Sequence, residues 1–234
     1  MMLFIAIDGA CRRNGKPDCV AAGGVFVQQY DGDGFLQQTD VQAIHEIGST
    51  SQRGEVLALL SALDYAWASK QDTHFLTDSE YLFNAMTKQW YANWARKGWI
   101  TALGEPVKNR DLWEAVIQSY GRCESIGMDM VFYYTKGHCI PFGKVTADKL
   151  LTADPSGYTL MMEVSDKYDS VFYSKQDQLE HANELSERNN GFRLEPAMLK
   201  HFVTSNLVAD AIATKRVDAA DRGRGVVTTI ERTE

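Results

Sequence analysis

Met2-Leu3-Phe4-Ile5-Ala6-Ile7-Asp8-Gly9 is an apolar run that stops abruptly on a carboxylate. The run is rich in β-formers and too short for a membrane span or a signal-peptide core, so it reads as a buried strand that presents Asp8 at its end. Working outward, Gly9 to Asp18 is a polar loop and Val20 to Tyr30 a second strand. Asp31-Gly32-Asp33-Gly34 is a hairpin turn signal leading to a third strand from Phe35 to Ile47. Three antiparallel strands therefore open the chain.

The period then changes. Val56, Leu59, Leu60, Leu63 and Trp67 recur at helical spacing within Thr50 to Lys70, and the Ser/Thr residues before them can cap that helix. His74 to Thr77 is another short strand that runs into a carboxylate, Asp78. Tyr81 to Lys97 predicts one helix, Asp111 to Tyr120 another, and Met128 to Thr135 a strand that finishes in Lys136-Gly137-His138. This order of elements is that of a mixed α/β domain. Pro141 to Ser205 is irregular by comparison, with helices expected over Ser174–Glu187 and Pro196–Val203. A last helix is expected from Asn206 to Arg222, ended by Gly223 and Gly225.

The 234 residues, 44% hydrophobic and 24% charged, describe a folded chain with ample core rather than a disordered one. No apolar run reaches the length of a membrane span and no targeting signal is evident, so a cytoplasmic protein is expected. Cys11, Cys19, Cys123 and Cys139 lack zinc-ligand spacing and read as free thiols. A net charge of −7 argues against simple electrostatic attraction to nucleic acid. That objection weakens segment by segment. Lys88, Arg96, Lys97, Lys108, Arg110 and Arg122 face only Glu105, Asp111 and Glu114 between Phe83 and Arg122, whereas acidic residues dominate from Leu151 to Ser205.

Asp8 and Asp78 both follow apolar strands, and strand ends in α/β sheets favour ligand and catalytic groups. Glu55 falls at the start of the first long helix. Singly, each is an ordinary solvated acid; together they form a pattern. Five passages in this order resemble a type 1 ribonuclease H over residues 2–138. They are the opening strand with Asp8-Gly9, then Thr50-Ser51-Gln52-Arg53-Gly54-Glu55, then Thr77-Asp78-Ser79. The fourth runs from Asn93-Trp94 through Gly98-Trp99 and Pro106-Val107-Lys108-Asn109 to Asp111-Leu112-Trp113, and the fifth is Lys136-Gly137-His138.

The resemblance implies a ribonuclease H-like α/β fold with a mixed five-stranded sheet, three antiparallel strands followed by parallel ones, flanked by helices. It implies an endonuclease that cuts the RNA strand of RNA–DNA hybrids and leaves 5′-phosphate and 3′-hydroxyl ends. It also implies two Mg²⁺ ions, replaceable by Mn²⁺, on Asp8, Glu55 and Asp78. Phosphodiester hydrolysis needs charge neutralised at both the attacking and the leaving oxygen, and hard cations take carboxylate oxygens.

A fourth carboxylate is expected from one of two positions. Asp148 lies at the spacing of a compact family member, ten residues after His138. Asp210, in Asn206-Leu207-Val208-Ala209-Asp210, matches the family's pattern of residues better and opens a helix that can pack. Asp210 is preferred. The chain is then one domain over 1–234 with an insertion at about 144–200 before the C-terminal helix. His138 is expected to assist proton transfer or product release. His45, His74, His181 and His201 match no motif and read as structural.

By the same resemblance, Asn14, Ser51 and Gln52 face the RNA strand, Thr50 a DNA phosphate, and Trp94, Arg96, Lys97 and Trp99 the DNA strand, with Trp90 and Lys108 beside them. At least one of the tryptophans is expected to belong to the core. Ser51, Gln52 and Glu80 depart from the commoner family pattern; a carboxylate at 80 cannot donate a hydrogen bond. The expected partner is the hybrid, with no membrane, and the expected state a monomer; a role in DNA replication rests on family analogy. Two other readings compete. A different nuclease of the superfamily would lack the Trp-rich passage and the Lys-Gly-His loop. An inactive hybrid-binding module, or a plain scaffold, would leave the set of acids unexplained.

Overall fold

The computed structural model describes residues 1–16, 18–172, 174 and 176–223. Its five strands are β1 (Met2–Arg12), β2 (Val20–Tyr30), β3 (Leu36–Ile47), β4 (Asp72–Thr77) and β5 (Met130–Tyr134). They lie in the order β3-β2-β1-β4-β5, with β1, β2 and β3 antiparallel and β1, β4 and β5 parallel. This is the mixed sheet of the ribonuclease H-like fold. β1 is central and covered on both faces, which is why its sequence is apolar without alternation.

The two faces have separate cores. Leu3, Ile5 and Ile7 of β1 meet α1 (Ser51–Ser69) and α4 (Arg110–Ser125), with Trp113 fully buried among them. Phe4 and Ala6, with Phe26 and Leu76, meet α8 (Pro196–Asp221) and the helices α5 (Lys144–Ala153), α6 (Tyr158–Phe172) and α7 (Gln176–Asn190). Successive glycines of β2 let a helix approach from each side. A Cβ at Gly23 would lie 2.6 Å from Ala58 N on α1, and one at Gly24 would lie 2.3 Å from Ala209 O on α8. Both helices therefore sit on the sheet almost backbone to backbone.

Several expected boundaries change. The helix predicted over Tyr81–Lys97 is two, α2 (Glu80–Thr87) and α3 (Trp90–Arg96), because Gln89 takes a left-handed backbone (φ 52°) between them. The helices expected over Pro196–Val203 and from Asn206 are one continuous α8, which begins with Pro196 in its first turn and ends by Arg222 with Gly223 beyond. Gly225 lies outside the described residues. The stretch after Pro141 is not irregular: α5 and α6 occupy it, and α7 runs on to Asn190. Asp154 is the hinge between α5 and α6, its carboxylate accepting from Ser156 and from both the N–H and the hydroxyl of Thr159. At the sheet edge Asn190 acts as a strand of one residue. Its Oδ1 accepts from Tyr134 N at 2.7 Å and its Nδ2 donates to Tyr134 O at 2.8 Å. No helix among the described residues is long and apolar enough to cross a membrane.

Candidate active site

Parallel pairing of β1 with β4 stops at Ala6 and Leu76, and two residues further on each strand stand Asp8 and Asp78. β1 itself continues to Arg12, so Asp8 sits within an extended hairpin arm rather than at the strand's last residue. Period-two alternation puts Asp8 on the face of Phe4 and Ala6, the face of α8. Glu55 enters from α1, whose N-cap is Thr50, its hydroxyl accepting from Arg53 N. One carboxylate oxygen from each of Asp8, Glu55 and Asp78 lies within 4.8 Å of the other two.

Such crowding has an electrostatic cost. Burial, then the charges of Asp78, Glu55 and Asp210, push the Asp8 carboxyl well above the ordinary carboxylate range, against the pull of the Gly9 N–H 2.6 Å away. Burial, then Asp78, moves Glu55 up to about 8, with a smaller push from Asp210. Burial also raises Asp78, with Asp210 adding to it and His138 and Lys136 opposing. Asp210, one turn beyond Asn206 on α8, adds its charge to all three, while Asp148 contributes to none of them. Asp148 is occupied elsewhere: its carboxylate pairs with Lys215 Nζ at 2.9 Å.

The cluster suits a cation on two further grounds. Glu55 Oε2 is buried with no hydrogen-bond partner among the described residues, an acceptor left without a donor. A Cβ at Gly137 would stand 1.8 Å from Asp78 Oδ2, so glycine lets the Lys-Gly-His loop lie against that carboxylate without pushing it aside.

A family model for RNase H matches residues 2–154, about two thirds of the chain. This chain belongs to the ribonuclease H family. It is 35% identical over 159 residues to a ribonuclease H of Cyanothece sp., across 65% of this chain and 88% of the relative. It is 34% identical over 151 residues to a ribonuclease H of Paracoccus denitrificans, across 64% and 90%. Among solved structures, LC9-RNase H1, described as a type 1 RNase H with the type 2 active-site motif, aligns with a TM-score of 0.49. The identity is 22%, covering 58% of this chain and 64% of that one. Family membership makes the protein a nuclease, a hydrolase. The matched range takes in Asp148 and ends before Asp210, whereas the geometry brings Asp210 and not Asp148 to the acids.

The remaining expected residues of this ribonuclease H fall into three groups. His138 is 77% exposed at its side chain, takes a left-handed backbone (φ 57°), and holds Nδ1 4.0 Å from Asp210 Oδ2. Asn14 and Ser51 face each other across two 3.3 Å hydrogen bonds, with Gln52 exposed beside them. The tryptophans belong largely to the core: Trp99 is 8% exposed under the Arg110 guanidinium, and Trp94 is wedged against Trp113 and Tyr81. That packing corrects the expectation of Trp99 as an open contact surface, and leaves Arg96 and Lys97 exposed.

Sequence reasoning missed Arg53. Its guanidinium is bidentate to Asp111 (2.8 and 2.7 Å) and to Glu46 (2.6 and 2.9 Å), bolting α4 and β3 to the turn of α1 before Glu55. Arg53 and Asp111 both stand in passages that carry the family resemblance, so the signal was present without its partner. The thiols of Cys11 and Cys19 prove to be neighbours, Sγ to Sγ 2.7 Å, although spacing alone scatters them.

Proposed function

We propose that this ribonuclease H is an endonuclease that hydrolyses the RNA strand of RNA–DNA hybrids, leaving 5′-phosphate and 3′-hydroxyl ends. The convergence of Asp8, Glu55 and Asp78, with Asp210 facing them, carries the reading. These four residues would hold two divalent cations, Mg²⁺ with Mn²⁺ as a substitute. Bound there, the cations supply positive charge at the attacking and leaving oxygens and make water more acidic.

The chain's own groups set the stage for that chemistry. Asp8 and Asp78 are fixed by the sheet, Glu55 by the Thr50-capped turn of α1, and Asp210 by α8. Arg53 fixes that turn through Glu46 and Asp111. His138 stands at the rim, on a loop that Gly137 lets down onto Asp78; a neutral imidazole there can carry a proton to or from the leaving oxygen. Asn14, Ser51 and Gln52 would read 2′-hydroxyls in the shallow minor groove, with amide and hydroxyl groups suited to that task. Thr50, Arg96 and Lys97 would meet phosphates of the DNA strand, with Trp94 and Trp99 supporting that surface from beneath.

Residues 144–200 would be an insertion within a single domain, since α8 returns to the sheet after them; the family match itself runs on through α5 to residue 154. The reading takes the protein as a monomer in a reducing cytoplasm, where its four thiols stay free, acting on hybrids made during DNA replication. An end-labelled hybrid incubated with protein and Mg²⁺, beside single-stranded RNA, duplex RNA and an EDTA control, tests the core of it. Metal-dependent cutting confined to the RNA strand of the hybrid is expected. A folded protein that leaves the hybrid intact with both Mg²⁺ and Mn²⁺ would overturn it.

A further inference from the structure

Beside the carboxylate cluster, α5 and α8 enclose a cleft of about 290 Å³ whose inner end is marked by His138 and Asp210. Three features of its walls bear on what it holds. First, α5 starts at the cleft without a cap: Gly143 makes no side-chain capping bond, no acid stands in the first turn, and Lys144 has no acidic partner among the described residues. An uncapped helix N-terminus beside a free ammonium is a place for an anion, above all a phosphate. Second, apolar surface is left open there. Val145 is 70% exposed, and Phe142 and Leu207 line the same cleft only half-buried. Third, Asn206 lines the cleft and is 2% exposed, yet its Nδ2 finds no acceptor among the described residues. A buried amide donor left unpaired is costly and calls for a partner.

A phosphate anchor, an aromatic and aliphatic wall, and one unused amide donor together describe a nucleotide. The volume is at the small end of ligand pockets and has no room for a duplex. A paired base turns its faces to its stacked neighbours, so only an unpaired base could lie against Phe142 and Leu207.

We propose that the α5–α8 cleft binds an unpaired ribonucleotide continuous with the RNA strand on the carboxylate cluster, its phosphate on Lys144 and the α5 N-terminus and its base on Phe142 and Leu207. The favoured substrate is then a hybrid flanked by single-stranded RNA rather than a blunt one. The inference rests on the hybrid-cleaving function proposed above and adds a substrate class to it.

The test uses the full chain with Mg²⁺ and hybrids of one sequence, blunt or carrying a short unpaired RNA tail at the 5′ or the 3′ end. A tail at one end should raise kcat/KM about tenfold over the blunt hybrid, the order of one stacked base. In Lys144→Ala and in Phe142→Ala that ratio should fall to near one. Equal kcat/KM for blunt and tailed hybrids in the unmodified chain overturns the proposal, as does a ratio that survives both substitutions. A second measurement stands apart from catalysis, so that failure to cut any hybrid indicts the proposed function and leaves the cleft to be judged alone. Adenosine monophosphate and inorganic phosphate are each titrated against the protein while NMR follows the Asn206 side-chain amide. The nucleotide should shift that amide, phosphate alone should not, and Phe142→Ala should abolish the shift. No response to the nucleotide, or an equal response to phosphate, overturns the site.

Discussion

The α1 face and the α8 face of the sheet each deliver a carboxylate to one cluster, and they do so by different routes. On the α1 face, Glu55 stands within a dozen residues of the strand before it, and its helix is bolted by Arg53 to Glu46 and Asp111. On the α8 face, Asp210 arrives only after α5, α6 and α7 have been built, and its helix is seated by close contact of Ala209 and Ala213 with Gly24. One face is fastened by ionic bonds from a single arginine, one of them to a near neighbour, the other by small residues brought together from the two ends of the chain. Spacing along the sequence therefore singles out the first carboxylate and leaves the second between Asp148 and Asp210.

The largest expected effect treats the faces alike. Asp78→Asn, one residue past the end of β4, should lower kcat for hybrid cleavage on the order of 10³-fold, the several kcal/mol that metal-held charge contributes, with an unchanged circular dichroism spectrum. Near-normal turnover by that variant would sink the assignment. The faces are separated by a pair of variants. Asp210→Asn should cost roughly 10²-fold in kcat, while Asp148→Asn, which removes only a half-exposed partner of Lys215, should cost less than about twofold. The reverse ranking would hand the fourth carboxylate to α5. A smaller effect probes the seating of α8: Gly24→Ala forces a methyl toward Ala209 O and should destabilise by about 2 kcal/mol, read as a fall in Tm.

The smallest effect concerns protons. Glu55, with a carboxyl moved up to about 8, and Asp8, raised well above the ordinary carboxylate range by burial, keep protons in the folded state that the unfolded chain has released. Folded protein binding more protons means that stability falls as pH rises. In EDTA, unfolding free energy should therefore rise as pH is lowered from 8 to 6.5, by on the order of 1 kcal/mol per proton per pH unit, read as a climb in Tm. Saturating Mg²⁺ should flatten that slope. Toward the lower end of that window His201, buried beside Phe4 and held down to about 4, begins to oppose the trend, because the unfolded imidazole takes up a proton around its ordinary value. A metal-free Tm that is level between those values would show that the acids do not repel one another as drawn.

What the sequence made legible follows the same division. The five strands and α1 could be read because each is a continuous periodic stretch with its own turn or cap, and Asp8, Glu55 and Asp78 could be read because each ends or begins such a stretch. The break at Gln89 was invisible, since a single left-handed residue leaves the helical pattern of Tyr81 to Lys97 intact. The segment after Pro141 resisted because α5 and α6 bury their apolar sides against each other and against α8, leaving no long stripe in either one. Arg53 and Gly137 were present in motifs, but their work is done on partners far along the chain, Asp111 and Asp78, and only the fold names those partners.

Asn190 has a consequence for the molecule's neighbours in solution. A β-strand at the margin of a sheet offers its open N–H and C=O groups to any extended chain that passes, and one such docking can seed a stack of further copies. At Tyr134 both groups are already taken by a single side-chain amide that carries no further strand behind it. The sheet is thus sealed at that point by a group that satisfies it and cannot propagate it. The three helices between β5 and α8 thus bring, at the end of α7, a side chain that closes the open margin of the sheet at Tyr134.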